Sequence, residues 1–185
     1  MSIIIHRVVP EDAYEYTAVH SACWRDAYAG IISDEYLSDM AAEQDQRAEK
    51  IRQTLLDPGD IEFYCAAYEG KMIGRLIFNR CHDEDKSNAG EITAIYLLAE
   101  FWDKGYGKQM MNFALDALKS LGYSEVIVWV LVNNTRALRF YEKCGFLYDG
   151  VKKEIDLGQP MIVVRLVLKQ VPPATQGPAP EFRIQ

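Results

Sequence analysis

No apolar run in this chain approaches the length of a membrane span, so membrane insertion as a helix is not expected. Nothing near the N-terminus reads as a signal peptide. The apolar run Ser2–Ile5 is too short, and Arg7 interrupts it. Cysteine is sparse: Cys23, Cys65, Cys81 and Cys144 form no C-x-x-C pair. None of them stands at a zinc-site interval from His6, His20 or His82, so no metal is expected. Reduced thiols in a cytoplasmic protein are the reading that follows. Basic charge is also short. Twenty Lys and Arg against 27 Asp and Glu leave a net charge of −7 and a pI near 5.0, which argues against a nucleic-acid partner held by a basic surface. An acidic surface is compatible with an amine substrate.

What is present suits one domain. The 185 residues are enough for a sizeable core, and 49% apolar with 25% charged content is ordinary for a globular chain. Ser2–Arg7 is β-branched and reads as a first strand. Pro10-Glu11-Asp12 opens a helix reaching Tyr28, with Gly30 as its stop. Ser33 is an N-cap candidate for a short helix to Met40, and a third helix runs from about Glu43 to Leu56. Ile61–Tyr68 and Met72–Asn79 are strand-like runs joined by the hairpin signal Glu69-Gly70-Lys71. Glu91–Leu97 is the next strand. Gly105–Leu121 carries Met110, Met111, Ala114, Leu115 and Leu118 at helical spacing. Glu125–Val132 reads as a strand buried on both faces, Asn133–Lys143 as a helix, and Phe146–Glu154 and Met161–Leu168 as two closing strands. The order predicts an α/β (α+β) protein. It has a mixed, mostly antiparallel central sheet of about seven strands with helices on both faces. Residues 1–170 form the domain, and residues 171–185, rich in proline, form an extended or disordered tail.

The chemistry concentrates after Leu97. Trp102-Asp103-Lys104-Gly105-Tyr106-Gly107-Lys108 leads from strand to helix. A glycine-containing loop at a helix start presents N–H groups to an anion. Its spacing is neither that of a dinucleotide fold nor that of the lysine-containing phosphate loop of nucleotide hydrolases. Taken alone, it is either a phosphate cradle or a plain turn.

A second segment bears on that choice. Asn134-Thr-Arg-Ala137-Leu-Arg-Phe140-Tyr141-Glu-Lys-Cys-Gly145-Phe146 follows the buried strand. Together the two segments resemble the Gcn5-related N-acetyltransferase (GNAT) superfamily, with its R/Q-x-x-G-x-G/A turn and N-x-x-A-x-x-F/L-Y-x-x-x-G-F helix. The similarity runs from about Ser2 to Leu168. It implies a fold with splayed fourth and fifth strands, acetyl-CoA as co-substrate, and direct transfer to a primary amine of a small molecule or peptide. By the same resemblance, the backbone of Ile95, Tyr96 and Leu97 pairs with pantetheine. The N–H groups of Asp103, Lys104, Gly105, Tyr106, Gly107 and Lys108 hold the pyrophosphate. Asn134 bonds the pantetheine arm, and Tyr141 protonates the leaving thiolate. A homodimer is compatible with the family.

Glu91 falls at one branch's base position, four residues before Ile95. The alternative is a carboxylate that orients substrate or a solvated strand-end charge. Strand alternation puts Glu91, Thr93 and Ile95 on one face. At the other branch's base position stands Trp129, which cannot serve. Trp102 replaces the usual Gln or Arg, and Asp103 adds a negative charge beside the pyrophosphate site. On the acceptor side, Tyr28 and Ile31 are candidate substrate contacts. Trp24 and Tyr28, at i and i+4, also fit a plain core face. The competing reading is a non-catalytic CoA-binding regulatory module.

Overall fold

In the computed structural model, residues 2–169 are described; the tail expected over residues 171–185 lies outside them. Seven strands form one sheet in the order β1-β2-β3-β4-β5-β7-β6. They are β1 (Ile4–Arg7), β2 (Glu62–Tyr68), β3 (Lys71–Arg80), β4 (Gly90–Leu97), β5 (Val126–Leu131), β6 (Leu147–Asp156) and β7 (Pro160–Leu168). All neighbours are antiparallel except β4 and β5. The helices are α1 (Ala13–Ala27), α2 (Asp34–Ala42), α3 (Gln44–Leu56), α4 (Tyr106–Ser120) and α5 (Thr135–Lys143). No helix among the described residues is long and apolar enough to cross a membrane.

Local chemistry explains the elements. The hairpin β2–β3 turns on Glu69 and Gly70, with φ of 50° and 77°. Left-handed conformations at both turn residues match the twist of the flanking strands. Ser33 caps α2 by accepting a hydrogen bond from Tyr36 N at 3.2 Å. In α4 the stripe Met110, Met111, Ala114, Leu115 and Leu118 is fully buried against the sheet. Gly90 permits this approach: a Cβ there would stand 2.6 Å from Leu118 Cδ2.

The sheet has two differently packed faces. Leu76, Phe78, Ile92, Val126, Val128 and Leu166 face α4 in the main core. Phe63, Cys65 and Ile77 face the other way, with Tyr16, Val19 and Cys23 of α1. On that α1 side, Arg165 of β7 is nearly inaccessible and bonds three aspartates. Its Nε donates to Asp149 Oδ2 (2.9 Å), and its Nη atoms donate to Asp83 (3.0 Å) and Asp85 (2.7 and 2.5 Å). This hub ties the loop before β4 to β6 and β7.

Candidate active site

The site begins where the sheet fails to close. β4 and β5 pair only at Gly90–Val126 and Glu91–Ile127. Past Glu91 the strands part, and a cavity of about 560 Å³ opens between them. Leu98 N donates to Ile73 O of β3 at 2.9 Å. Backbone groups alternate sides along an antiparallel strand, so Leu97 and Ile95 turn theirs toward the open wedge. Tyr96 turns its own toward β3: a Cβ on Gly74 would stand 2.8 Å from Tyr96 O. Of the three residues expected to offer backbone to pantetheine, Ile95 turns both its N–H and its carbonyl to the wedge, and Leu97 turns its N–H there. Tyr96 contributes its ring to the cavity wall instead.

The start of α4 borders the same cavity. Gly105, its N-cap, has φ 81°, and Asp103 has φ 59°. The first intrahelical bond is Gln109 N to Gly105 O at 3.2 Å, which leaves the N–H groups of Tyr106, Gly107 and Lys108 without helical acceptors. No side chain caps this helix and its first turn holds no acid. Gly105, Gly107 and Lys108 line the cavity. An uncapped helix start with glycine at its edge offers its free N–H groups to an anion. The side chains of Lys104 and Tyr106 turn elsewhere. Lys104 Nζ lies 5.2 Å from the Phe101 ring centre, and Tyr106 is buried beside Tyr68.

The two unusual residues of the loop have structural roles. Trp102 Nε1 donates to Leu97 O at 2.7 Å, filling one of the open carbonyls of the β4 edge. The Arg136 guanidinium stacks 4.0 Å from the Trp102 ring centre and donates to both carboxylate oxygens of Asp103 at 3.2 Å. Asp103 therefore meets the anion site with its charge already paired, and α4's loop is clasped to α5.

From α5 come the remaining candidates. Asn134 is the N-cap, its Oδ1 accepting from Ala137 N at 3.0 Å. The oxygen is committed, so its amide N–H groups are what it offers the cavity. Tyr141 lines the cavity and is fixed by edge-on contacts with Phe140 and Phe146, at ring-centre distances of 5.4 and 5.7 Å. Burial pushes its phenol well above the usual range.

Glu91 requires a correction of register. β4 bulges between the pairs Ile77–Ala94 and Phe78–Ile92, leaving Thr93 unpaired. One extra residue reverses the alternation. Glu91 therefore shares a face with Ala94 and Tyr96, on the α1 side, and not with Ile95 as strict alternation predicts. It does not line the cavity; it is partly buried at the strand pair where the wedge begins. Burial first, and then Asp83, raises its carboxyl above the usual range, while Lys153 and His82 oppose this.

The α1 wall is aromatic. Tyr28 lines the cavity, and its hydroxyl meets that of Tyr96 at 3.0 Å. Trp24 packs behind it, 4.8 Å from Tyr28 and 6.2 Å from Tyr96 by ring centres. Ile31 does not line the cavity and packs in a satellite core with Ile32 and Leu37. Sequence reasoning passed over Arg136, Arg139 and Lys143, which all border the cavity. Their i, i+3, i+7 spacing was the available signal, since it puts three cations on one helical face.

Comparison with known proteins adds to this geometry. Residues 13–146 match the family model of the acetyltransferase (GNAT) family. A Mycobacterium tuberculosis protein named as a probable N-acetyltransferase is 30% identical over 149 residues, 80% of this chain and 82% of its own. The spermidine N(1)-acetyltransferase of Thermoplasma acidophilum is 28% identical over 148 residues, covering 79% and 89%. Among solved structures, a PaiA N-acetyltransferase of Thermoplasma acidophilum in complex with coenzyme A superposes with a TM-score of 0.71. It is 27% identical and covers 89% of this chain and 98% of that one. A Salmonella typhimurium structure holding acetyl-CoA has the same fold, with a TM-score of 0.66 at 15% identity over 99% of this chain and all of that one. The split between β4 and β5, the bare start of α4 and the matched segment from α1 through α5 agree: this chain belongs to the GNAT family of acetyltransferases.

Proposed function

We propose that this protein transfers the acetyl group of acetyl-CoA to the primary amine of a small molecule or peptide, by direct attack in a ternary complex. One observation carries the reading. An open strand edge at Ile95 and Leu97 and an uncapped helix start at residues 106–108 border a single cavity. An extended amide-bearing arm suits the first, as an added strand would, and a pyrophosphate suits the second. The pantetheine arm pairs with Ile95 and takes an N–H from Asn134. The pyrophosphate rests on the loop and helix start from Asp103 to Lys108. Relatives that hold coenzyme A and acetyl-CoA support this choice of co-substrate.

The chemistry follows. The amine nitrogen attacks the thioester carbon, the C–N bond forms, the C–S bond breaks, the thiolate takes the Tyr141 proton, and the proton shed by the new amide nitrogen returns to the Tyr141 phenolate through water. A backbone N–H at Leu97 steadies the transient oxyanion. Glu91 accepts the ammonium proton beforehand. It stands outside the cavity, so the proton crosses a water. A carboxyl raised by burial is a better base than an ordinary one.

Calorimetry with acetyl-CoA and thiol release with a panel of amines test this reading. Acetyl-CoA binding without amine-dependent thiol release from any compound favours the regulatory module instead. Glu91→Gln is expected to lower turnover at neutral pH by roughly tenfold or more and to remove the acidic limb of the pH–rate profile. The fold should not suffer. A carboxyl with a raised folded-state pKa stabilises only below the ordinary carboxylate range, and that contribution is lost as pH rises through the raised value. At neutral pH the glutamine variant should melt at or above the wild-type temperature. An acidic limb that survives in the variant rules Glu91 out as the base.

A further inference from the structure

The charges of the cavity are segregated. Its charged lining residues are Asp103, Lys108, Arg136, Arg139 and Lys143, all from the loop before α4, the start of α4 or α5. That end is the cofactor's. At the other end the lining is Cys23, Ala27, Tyr28, Ala94, Tyr96 and Trp129, and none of them is charged. Burial pushes the Cys23 thiol up to about 12, so it stays neutral too. Asp26 of α1 is exposed and does not line the cavity. Glu91 also stands outside it and serves the nitrogen that reacts.

Three of those six residues are aromatic, and the wedge sets them apart. β4 and β5 stop pairing after Glu91 and Ile127. Tyr96 and Trp129 lie farther along the two strands, so they stand on opposite sides of the gap. Both face α1: Tyr96 packs on Trp24, and Trp129 joins a satellite core with Trp24 and Tyr28. Tyr28 meets Tyr96 edge-on, with ring centres 6.4 Å apart. Among the described residues, no ring contact joins Trp129 to either tyrosine. The hydroxyls of Tyr28 and Tyr96 are engaged with each other at 3.0 Å, so this wall presents mostly ring surface. A gap bordered by aromatic rings suits a flat apolar body.

Charge around the gap narrows the class. Arg75, 7% exposed, is the cross-strand partner of Tyr96. Lys153 Nζ lies 3.8 Å from the Trp129 ring centre. Asp83, 3.9 Å from Lys153, is shared with Arg165. A second ammonium on the acceptor would meet these cations with no carboxylate on the wall. A carboxylate would lose its water with no cation on the wall.

We infer that the acceptor is a monoamine with a flat, uncharged aromatic body, seated between Trp129 and the Tyr28–Tyr96 pair. This rests on the acetyltransferase reading above. It separates this chain from the relative named as a spermidine acetyltransferase, because a polyamine brings further ammonium groups to an uncharged wall. It also gives Trp129 a task at the position where another branch of the family is expected to keep its base.

Four amines test it by thiol release from acetyl-CoA: 2-phenylethylamine, n-hexylamine, spermidine and phenylalanine. The first should show kcat/KM at least roughly tenfold above each of the others. Trp129→Leu should bring the ratio of 2-phenylethylamine to n-hexylamine close to one while KM for acetyl-CoA stays at the wild-type value. Trp129→Phe should keep most of the ratio. If Trp129→Leu does not fold, Tyr28→Leu reads the same ratio. An equal or higher kcat/KM for any of the other three amines overturns the inference. So does a ratio that neither leucine variant lowers. If acetyl-CoA binds but no amine releases thiol, it is the transferase reading that fails. The aromatic gap is then judged by calorimetry of the CoA-bound protein with the same four amines. Tighter binding of 2-phenylethylamine supports it there, and absent binding, or equal binding of spermidine, overturns it.

Discussion

Tyr141→Phe is expected to lower turnover by roughly a hundredfold while acetyl-CoA affinity stays at the wild-type value. The ring keeps its edge-on contacts with Phe140 and Phe146, so the packing of α5 on the sheet survives. What is lost is a proton held in place. The Tyr141 hydroxyl is buried and its pKa lies far above neutrality, so it is fully protonated at any working pH. A thiolate leaving into the wedge meets that proton without waiting for solvent. Wild-type activity should accordingly show no alkaline decline from this group. The measurement is kcat against pH for both proteins, with calorimetric acetyl-CoA binding as control. Equal kcat across the range would take Tyr141 out of the mechanism.

Arg165→Met is expected to destabilise the protein by about 3 kcal/mol, because removing one partner strands the buried charges of the others. For a domain of this size that is a fall in melting temperature of roughly 6–12 °C. The side chain of Arg165 is 3% exposed, while those of Asp149 and Asp83 are 16% and 22% exposed. Asp85 is largely in water, so Asp85→Asn should cost much less than the loss of Arg165. Similar melting temperatures for the two variants would refute the hub. The variant should also reach the site. Asp83 already raises the Glu91 carboxyl, and without Arg165 its charge is left to Lys153 alone, 3.9 Å away. The acidic limb of the pH–rate profile should then move to higher pH.

The elements themselves were readable from the chain because their causes are local. Ser33 before α2, Glu69-Gly70 between β2 and β3, and the Met110–Leu118 stripe each act within a few residues. The motifs of the wedge were equally plain, since a glycine-edged turn and the Asn134–Phe146 helix are contiguous. What escaped is set by contacts distant in sequence or by geometry that no residue announces. The bulge at Thr93 has no glycine to mark it, yet it moves Glu91 to the other face of the sheet. Trp102 stands where the family has Gln or Arg because its indole serves Leu97 O, and the charge of Asp103 is paired by Arg136, 33 residues away in the chain. Arg75 read as one more strand residue. Its burial, at 7% exposed, exists only once α1 and β4 are packed around it.

A sheet joined in its middle by two rungs has, from Ile92 to Leu97, two strand edges buried inside the molecule. Unpaired edge amides are open to hydrogen exchange, however deep the core around them. The amides of Ile95 and Leu97 are therefore expected to exchange fast between slow strands, and to turn slow when a ligand lies along β4. On the proposed reading, a cofactor arm in the wedge would act as a strand the chain does not encode. The expected consequence is a central sheet whose rigidity follows ligand supply, with a melting temperature that rises with acetyl-CoA concentration by mass action.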